Sequence, residues 1–386
     1  MAPVNIVIVG AGAAGITIAH SLLQGVPNAK VLLVNPAQTF YWNIASPRIV
    51  AKPNAFKPEQ YLLPIKDAFA QYSASAFEFV AGTATAINVS AKTVAVTLNG
   101  SGDSKDFSYD HLVIASGSTN LSATGAVTGT EIPFKPSNRD DVKQVVEAAQ
   151  QQIANAKEIV IGGAGPVGVE LAGELAESLG SKATITLISS ADRVLPMLKP
   201  SGSAVGEKKL KEKKVKIITS TKVTGAEASA DGTKSWTVTL DNGKKLVADV
   251  YIPTTGAIPN SSFIPAEFLD NNGWVKVNEE LRVQSSSGSA LPIYAVGDIN
   301  TNNMRLSFKA TEQAKIAMTN IKADILGKGE RKSYDQGNSV MMVVPVGETG
   351  GTGQLFGMTP FNFLVKYVKG KDYLVSKAPQ YLAGKA

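Results

Sequence analysis

An apolar run that ends in G-x-G-x-x-G and opens into a helical pattern occurs twice in this chain of 386 residues. The first copy runs from Val4 through Ile6-Val7-Ile8-Val9 into Gly10-Ala11-Gly12-Ala13-Ala14-Gly15. The second runs from Glu158 through Ile159-Val160-Ile161-Gly162 into Gly163-Ala164-Gly165-Pro166-Val167-Gly168. A continuous apolar run of this length reads as a strand buried on both faces of a parallel sheet. The first glycine of each turn permits a tight exit from the strand. The second lets backbone approach a pyrophosphate, and the third lets the helix pack close to the sheet. The helix that follows aims free N–H groups and its positive dipole end at the phosphates. Two copies, each in strand–turn–helix context, predict two bound dinucleotides and electron transfer between them.

The same pattern calls for an acid at the end of the next strand, where a carboxylate would hold a ribose hydroxyl. Here the strands end instead at Asn35 and at Ser189-Ser190. Asn35 can still hydrogen-bond a ribose, but without charge the bond is weaker. At the second site the missing acid removes repulsion against a 2′-phosphate, and Arg193 stands close enough in sequence to attract one. NADPH is therefore not excluded beside NADH.

Cysteine is absent and there are only two histidines, His20 and His111. Disulfides and thiolate metal sites are thereby ruled out, and both histidines read as structural, so no metal site is expected. A hydrophobic content of 44% describes a folded globular chain. No apolar stretch reaches the roughly 18 residues of a membrane span. Met1-Ala2-Pro3 runs straight into the first strand, so neither a signal peptide nor, with Ala2 in second place, a myristoylation site is expected. A cytoplasmic location fits. The net charge of +6 is mild, and the lysine-rich run Glu207 to Lys214 reads as an exposed helix laced with ion pairs, which makes nucleic acid a poor partner.

The fold expected is α/β, with two Rossmann-like dinucleotide-binding domains. One is discontinuous, residues 1–122 and 257–330. The other, residues 123–256, is inserted into it, and a small α+β domain follows at 331–386. A stretch rich in Gly, Ser and Thr from Ser116 to Thr130 marks the crossover between domains. The inserted unit holds a helix at about Asp140–Ile153 and a hairpin, Trp236–Leu240 with a strand from Lys244, around the turn Asp241-Asn242-Gly243. A long helix is expected at about Thr311–Leu326, and a helix-like basic aromatic stretch at Phe361–Tyr373.

Five segments in order resemble the pyridine nucleotide-disulfide oxidoreductases, the two-dinucleotide flavoprotein superfamily. They are the two glycine turns, Leu112-Val113-Ile114-Ala115-Ser116-Gly117, Thr255-Gly256 with Pro259-Asn260, and Tyr294-Ala295-Val296-Gly297-Asp298. Within the superfamily the chain is most similar to the apoptosis-inducing-factor-like branch, which includes ferroptosis suppressor protein. Phe40-Tyr41-Trp42-Asn43, the form Gly-Pro-Val-Gly-Val-Glu-Leu-Ala-Gly-Glu at 165–174 and the glycine-rich segment Gly350–Gln354 carry that likeness.

The resemblance implies FAD on Gly10, Gly12, Ala13, Ala14 and Gly15. Asn35 would lie at its ribose, Ser116, Gly117 and Gly256 beside it, and Gly297 with Asp298 at its ribityl chain. NAD(P)H would lie on Gly163, Gly165, Pro166, Val167 and Gly168, with Ser189 and Arg193 at its adenosine end. Glu170 would contact the nicotinamide end, and Lys309 would bring charge to the flavin ring from the start of its helix; these two are the candidate catalytic residues. Hydride would pass from nicotinamide to flavin, with the protein supplying position and electrostatics. Without cysteine the flavin must then reduce its acceptor directly, and the family favours a quinone, with Phe40, Tyr41 and Trp42 as candidate lining or as core. The aromatic, basic tail Phe361–Lys371 suits peripheral contact with an anionic membrane such as the mitochondrial outer surface, or an amphipathic closure of the flavin domain. Two rival readings are an oxidase or monooxygenase of one small metabolite, and a redox-sensing, death-associated protein that binds nucleic acid.

Overall fold

A computed structural model of the chain describes residues 3–125, 131–136, 139–229, 235–285, 288 and 290–385. Ala2 and positions 126–130 of the crossover lie outside the described residues. The first glycine turn emerges from a seven-stranded sheet with the order Ile293–Ala295, His111–Ile114, Val4–Val9, Ala29–Asn35, Phe77–Asn88, Thr93–Leu98, Ser104–Ser108. The first five are parallel and the last two form an antiparallel meander. Ile6 and Ile8 point into one apolar core and Val7 and Val9 into another, so both faces of Val4–Val9 are covered. That burial is why the strand reads as an unbroken apolar run.

The second glycine turn emerges from a parallel sheet ordered Lys216–Ile218, Thr184–Ile188, Glu158–Gly162, Val250–Pro253. An antiparallel sheet of Val223–Ala228, Trp236–Leu240 and Lys245–Ala248 lies beside it, and contains the expected hairpin. The chain leaves the first sheet after Ile114 and rejoins it at Ile293, so the second unit is inserted. The outgoing strand Ser118–Asn120 and the returning strand Ala257–Pro259 pair antiparallel, forming a two-stranded hinge.

The section after residue 331 has a hairpin, Met342–Pro345 with Gly351–Gln354, and short helices. Its apolar residues divide between the two units. Val344 and Val346 join the core around Leu171 and Leu175, whereas Tyr373, Val375 and Leu382 join that around Trp42 and Tyr61. Gly173 makes this close approach possible, because a Cβ there would stand 2.8 Å from the backbone of Val346 and Gly347. The stretch Phe361–Tyr373 is not one regular helix. It breaks into Asn362–Val365 and a single wide turn, Lys366–Gly370. The carbonyls of Gly370 and Lys371 accept instead from the Arg48 guanidinium at 2.8 and 3.0 Å. Among the described residues, no helix is long and apolar enough to cross a membrane.

Candidate active site

The two glycine turns adopt the same backbone. Gly10 and Gly163 have φ of +109° and +118°, a region open to glycine and closed to L side chains. Each donates its N–H to the end of the neighbouring strand, Val34 O at 2.8 Å and Ile188 O at 2.9 Å. Gly12 and Gly165 then cap the helices Ala13–Gly25 and Pro166–Leu179 with φ of −76° and −73°. Packing separates the roles of the glycines. A Cβ on Gly15 would strike the carbonyl of Gly10, and one on Gly168 that of Gly163. A Cβ on Gly12 or Gly165 would meet nothing within 4 Å. The third glycine is thus required by the fold, whereas the second leaves space that the protein does not fill. Neither helix has a side-chain cap or an acid in its first turn, so both positive ends stand ready for an anion.

Ala13 and Ala14 form the first helical turn, and Pro166 and Val167 occupy the same place in the second unit. Gly297, at φ +80°, sits with its Cα face about 3.8 Å from Ala14 Cβ and 3.9 Å from Ala310 Cβ, measured from the Cβ it lacks. The Gly297-Asp298 turn therefore lies between the first glycine turn and the start of the helix Ser307–Leu326. Gln313, fully buried, holds that turn in place: its Oε1 accepts from Gly297 N and from Asn300 Nδ2, both at 2.8 Å.

A cavity of about 170 Å³ at the carboxyl edge of the first sheet is lined by Gly10, Asn35, Thr83, Ser116, Asn260 and Ser261, among others. This is the crevice beside a strand with parallel neighbours on both sides, where open α/β sheets bind ligands. Asn35 reaches it, but its amide braces the loop, accepting from Ala11 N at 2.9 Å and donating to Ala37 O at 2.7 Å. Ser116 lies opposite. Its hydroxyl donates to Asn260 O, and Asn260 Nδ2 donates back to Ser116 O, each at 2.8 Å. Gly117 and Gly256, at φ +65° and +76°, flank the hinge strands.

Asp298 accepts from Ser118 Oγ at 3.2 Å and forms an ion pair with Lys135. Lys309 is buried and pairs with Glu312 at 2.8 Å. Glu170 is also buried. It pairs with Lys369 of the C-terminal section at 2.5 Å, and burial raises its pKa above the ordinary carboxylate value against the pull of Lys369. One turn further along, Glu174 takes both nitrogens of the Arg48 fork at 3.0 and 2.8 Å. Arg48 and Lys369 both lie over the ring of Tyr373, at 4.7 and 5.3 Å. Glu174, Glu177 and Glu348 come close together, and Lys52 bridges all three, at 3.0, 2.8 and 2.9 Å.

At the end of the strand Thr184–Ile188 the Ser189 hydroxyl is turned inward and donates to Arg193 O at 2.7 Å. Arg193 is tethered through Asp192 at 3.1 Å and Pro196 O at 3.2 Å, and its Nε is buried without a partner among the described residues. Phe40 and Trp42 belong to the core, and Trp42 Nε1 donates to Tyr373 O at 2.9 Å. His20 stacks on Phe69 and hydrogen-bonds Tyr72 and Leu382 O, a structural arrangement whose burial lowers its pKa.

Two Rossmann-type units, each with an open glycine turn, joined by a pair of antiparallel strands and closed by a shared C-terminal section, define the fold of a two-dinucleotide oxidoreductase. The chain belongs to the pyridine nucleotide-disulphide oxidoreductase family, which it matches over residues 4–314. It is similar to the oxidoreductase ptaL of Pestalotiopsis fici, at 36% identity over 98% of this chain and 99% of that protein. Ferroptosis suppressor protein 1 of Xenopus tropicalis is 29% identical over 97% and 95% of the two chains. The fold resembles that of the sulfide:quinone oxidoreductase of Aquifex aeolicus, with a TM-score of 0.77 at 19% identity over 98% and 92% of the two chains. Membership of this family implies binding of FAD and a pyridine nucleotide, and the open glycines at 12 and 165 fit both.

Proposed function

We propose that this protein is an FAD-dependent NAD(P)H oxidoreductase that delivers electrons to a quinone-type acceptor without a cysteine relay. The observation that carries the reading is the pair of matched glycine turns, each with an unfilled space at its second glycine, in a chain lacking any thiol. FAD, when bound, supplies the hydride-accepting and electron-donating chemistry. The chain's own residues do the rest. Gly10, Gly12 and Gly15 cradle the flavin diphosphate, and Asp298 orients the ribityl chain. Gly163, Gly165 and Gly168 cradle that of NAD(P)H. Glu170 orients the nicotinamide end, and Lys309 places charge at the start of the helix Ser307–Leu326, whose dipole favours negative charge beyond its N-terminus.

The acceptor class rests on the likeness to ferroptosis suppressor proteins and on the absence of cysteine. A cytoplasmic protein in peripheral contact with a membrane agrees with the exposed side chains of the tail. Phe356, Met358, Phe361, Phe363 and Tyr367 are 69–85% exposed, and lysines 366 and 371 lie among or beside them. A patch this apolar, edged by cations, suits an anionic lipid surface.

A second reading is oxidation of one small metabolite; ptaL, 36% identical and named only as an oxidoreductase, is compatible with either reading. Anaerobic titration separates the two. On the first reading NAD(P)H bleaches the flavin absorption, and a quinone restores it much faster than oxygen does. Rapid recovery with oxygen, accelerated by no quinone, overturns the first in favour of the second.

A further inference from the structure

Asp298 stands where three segments meet. Its Oδ2 accepts from Ser118 on the outgoing hinge strand and from Lys135, while Lys135 Nζ also reaches Ser118 Oγ at 3.3 Å. The backbone of Lys135 is fixed in turn, because Thr119 Oγ1 donates to its carbonyl at 2.9 Å. The preceding Ile132 and Phe134 are buried in the core of the inserted unit. Lys135 therefore runs from the inserted unit, across the hinge, to a carboxylate of the first unit. The other oxygen of Asp298, Oδ1, accepts no hydrogen bond from any described residue, and the side chain retains 18% exposure. The turn that carries it is locked by Gln313 and Asn300, so Asp298 has little freedom except through its own side-chain torsions.

We infer that Lys135 is a positioning residue of the flavin site. It holds one oxygen of Asp298 on the hinge so that the other faces the flavin chain, and flavin loading thereby stiffens the hinge between the two units. This inference rests on the proposed function only in taking FAD as the ligand beside Asp298. The physical basis is a charge-assisted hydrogen bond that fixes the orientation of a carboxylate. A polyol hydroxyl donating to Oδ1 adds a second fixed point to the same side chain. The carboxylate then ties the ligand to Ser118 and Lys135 together.

The test uses the full chain with Lys135→Met, Lys135→Gln and Lys135→Arg. FAD dissociation is followed by the fluorescence of released flavin, and amide hydrogen exchange is read at residues 118–120 and 257–260 with and without FAD. The wild type is expected to gain hinge protection on loading FAD. In Lys135→Met and Lys135→Gln, FAD should bind about tenfold more weakly, corresponding to roughly 1.4 kcal/mol, and the FAD-dependent gain should vanish. Lys135→Arg should restore both. A lysine serving only general stability would lower protection equally with and without FAD, leaving the FAD-dependent gain intact, and that result overturns the inference. So does an unchanged FAD dissociation constant in both neutral variants. A wild-type chain that takes up no FAD at all overturns the functional reading and this inference together.

Discussion

The carboxylate of Glu170 and the ammonium of Lys369 lie 2.5 Å apart although 199 residues separate them. The pair joins the first turns of the helix Pro166–Leu179 to the C-terminal section, and both side chains are largely withdrawn from water. Burial raises the Glu170 pKa, Lys369 opposes that rise, and Glu174 adds to it. Replacing Lys369 by Met removes the main opposing influence, so the Glu170 pKa must climb further. With Glu170 needed as the carboxylate, the rate of flavin reduction by NAD(P)H should fall on the acid side. In Lys369→Met that acid limb should move to higher pH. Stopped-flow reduction across pH 5 to 8 (roughly the stable range of most folded proteins) reads this directly. In Glu170→Gln the limb should be missing. An unmoved limb in Lys369→Met removes Glu170 from the hydride step.

The glycine turns make a prediction that separates folding from binding. Gly12→Ala and Gly165→Ala introduce a Cβ that meets no protein atom within 4 Å, at φ values that alanine adopts freely. Thermal melting of the cofactor-stripped proteins should therefore stay unchanged. On the proposed function the added methyl would take up the space of a diphosphate, so each variant should lose its own ligand. Gly12→Ala should purify with little flavin, and Gly165→Ala should retain flavin but show a KM for NAD(P)H raised about tenfold or more. Gly15→Ala and Gly168→Ala, which collide with backbone carbonyls, should instead yield poorly folded protein. A Gly165→Ala enzyme with unaltered KM would remove the second turn from nucleotide binding.

These turns were legible in the sequence because their signal is local: strand, glycines and helix follow one another within a dozen residues. Gly297-Asp298 and the hinge residues Gly117, Gly256 and Asn260 were legible through their order in the family pattern. Side-chain engagement was not. Asn35 and Ser189 stand at the ends of their strands, yet one amide braces its own loop and one hydroxyl faces Arg193 O. Arg48, Lys135 and Lys369 escaped notice because their partners lie 126, 163 and 199 residues away. A basic aromatic tail that reads as membrane contact or as an amphipathic closure thus contains a half-buried ion-pair partner at Lys369. The C-terminal section looked like a separate unit because its hydrophobic spacing does not reveal which core it joins. Phe40 and Trp42 were ambiguous between acceptor lining and core; their burial places them in the core.

Arg48 ties three parts of the fold together and should be costly to remove. It is 2% exposed and bonds Glu174, whose side chain is fully buried, as well as the carbonyls of Gly370 and Lys371. Breaking a buried pair by deleting one partner costs up to about 3–5 kcal/mol, and here Lys52, 3.0 Å from Glu174, still compensates part of the remaining charge. Arg48→Met should lose stability of that order in urea denaturation, and its C-terminal section should become the first site of proteolysis. Replacing both partners, Arg48→Met with Glu174→Leu, removes the stranded carboxylate and should recover part of the loss. Lys52 retains other carboxylates, Glu177 and Glu348, in that double variant. A double variant no better than the single one would show that the lost carbonyl bonds to the C-terminal section dominate.

The exposed aromatics of the tail predict binding to lipid. Phe361 and Phe363 stack with ring centroids 6.0 Å apart, and Tyr367 is 79% exposed. Burying one such side chain is worth about 1.5–3 kcal/mol, so two or three of them can hold a protein at an interface. Flotation with vesicles containing anionic lipid should carry the wild type, and neutral vesicles should carry less. Changing Phe361, Phe363 and Tyr367 together to Ser should abolish flotation while leaving flavin content intact. Equal recovery of wild type and triple variant in the protein-only fraction would rule out the membrane contact.

On the proposed function, Arg193 is expected to govern how the second site treats the two nicotinamide cofactors. Ser189 leaves no carboxylate at the end of its strand to repel a 2′-phosphate, and its hydroxyl is engaged with Arg193 O. The Arg193 guanidinium is held by only one exposed neighbouring acid, Asp192, and by Pro196 O. A surface pair of that kind is weak and readily exchanged for a doubly charged phosphate. NADPH and NADH should therefore support turnover within about tenfold of each other, a difference of roughly 1.4 kcal/mol. Arg193→Ala should lower kcat/KM for NADPH by about tenfold and change that for NADH far less, because NADH lacks the 2′-phosphate that would pair with the guanidinium. Ser190→Glu, an exposed position next to the strand end, should discriminate against NADPH by charge repulsion even with Arg193 present. Steady-state kcat/KM for both cofactors in the three proteins measures this. A wild type that prefers NADH by more than about a hundredfold would show that something other than a carboxylate at this strand end excludes the phosphate.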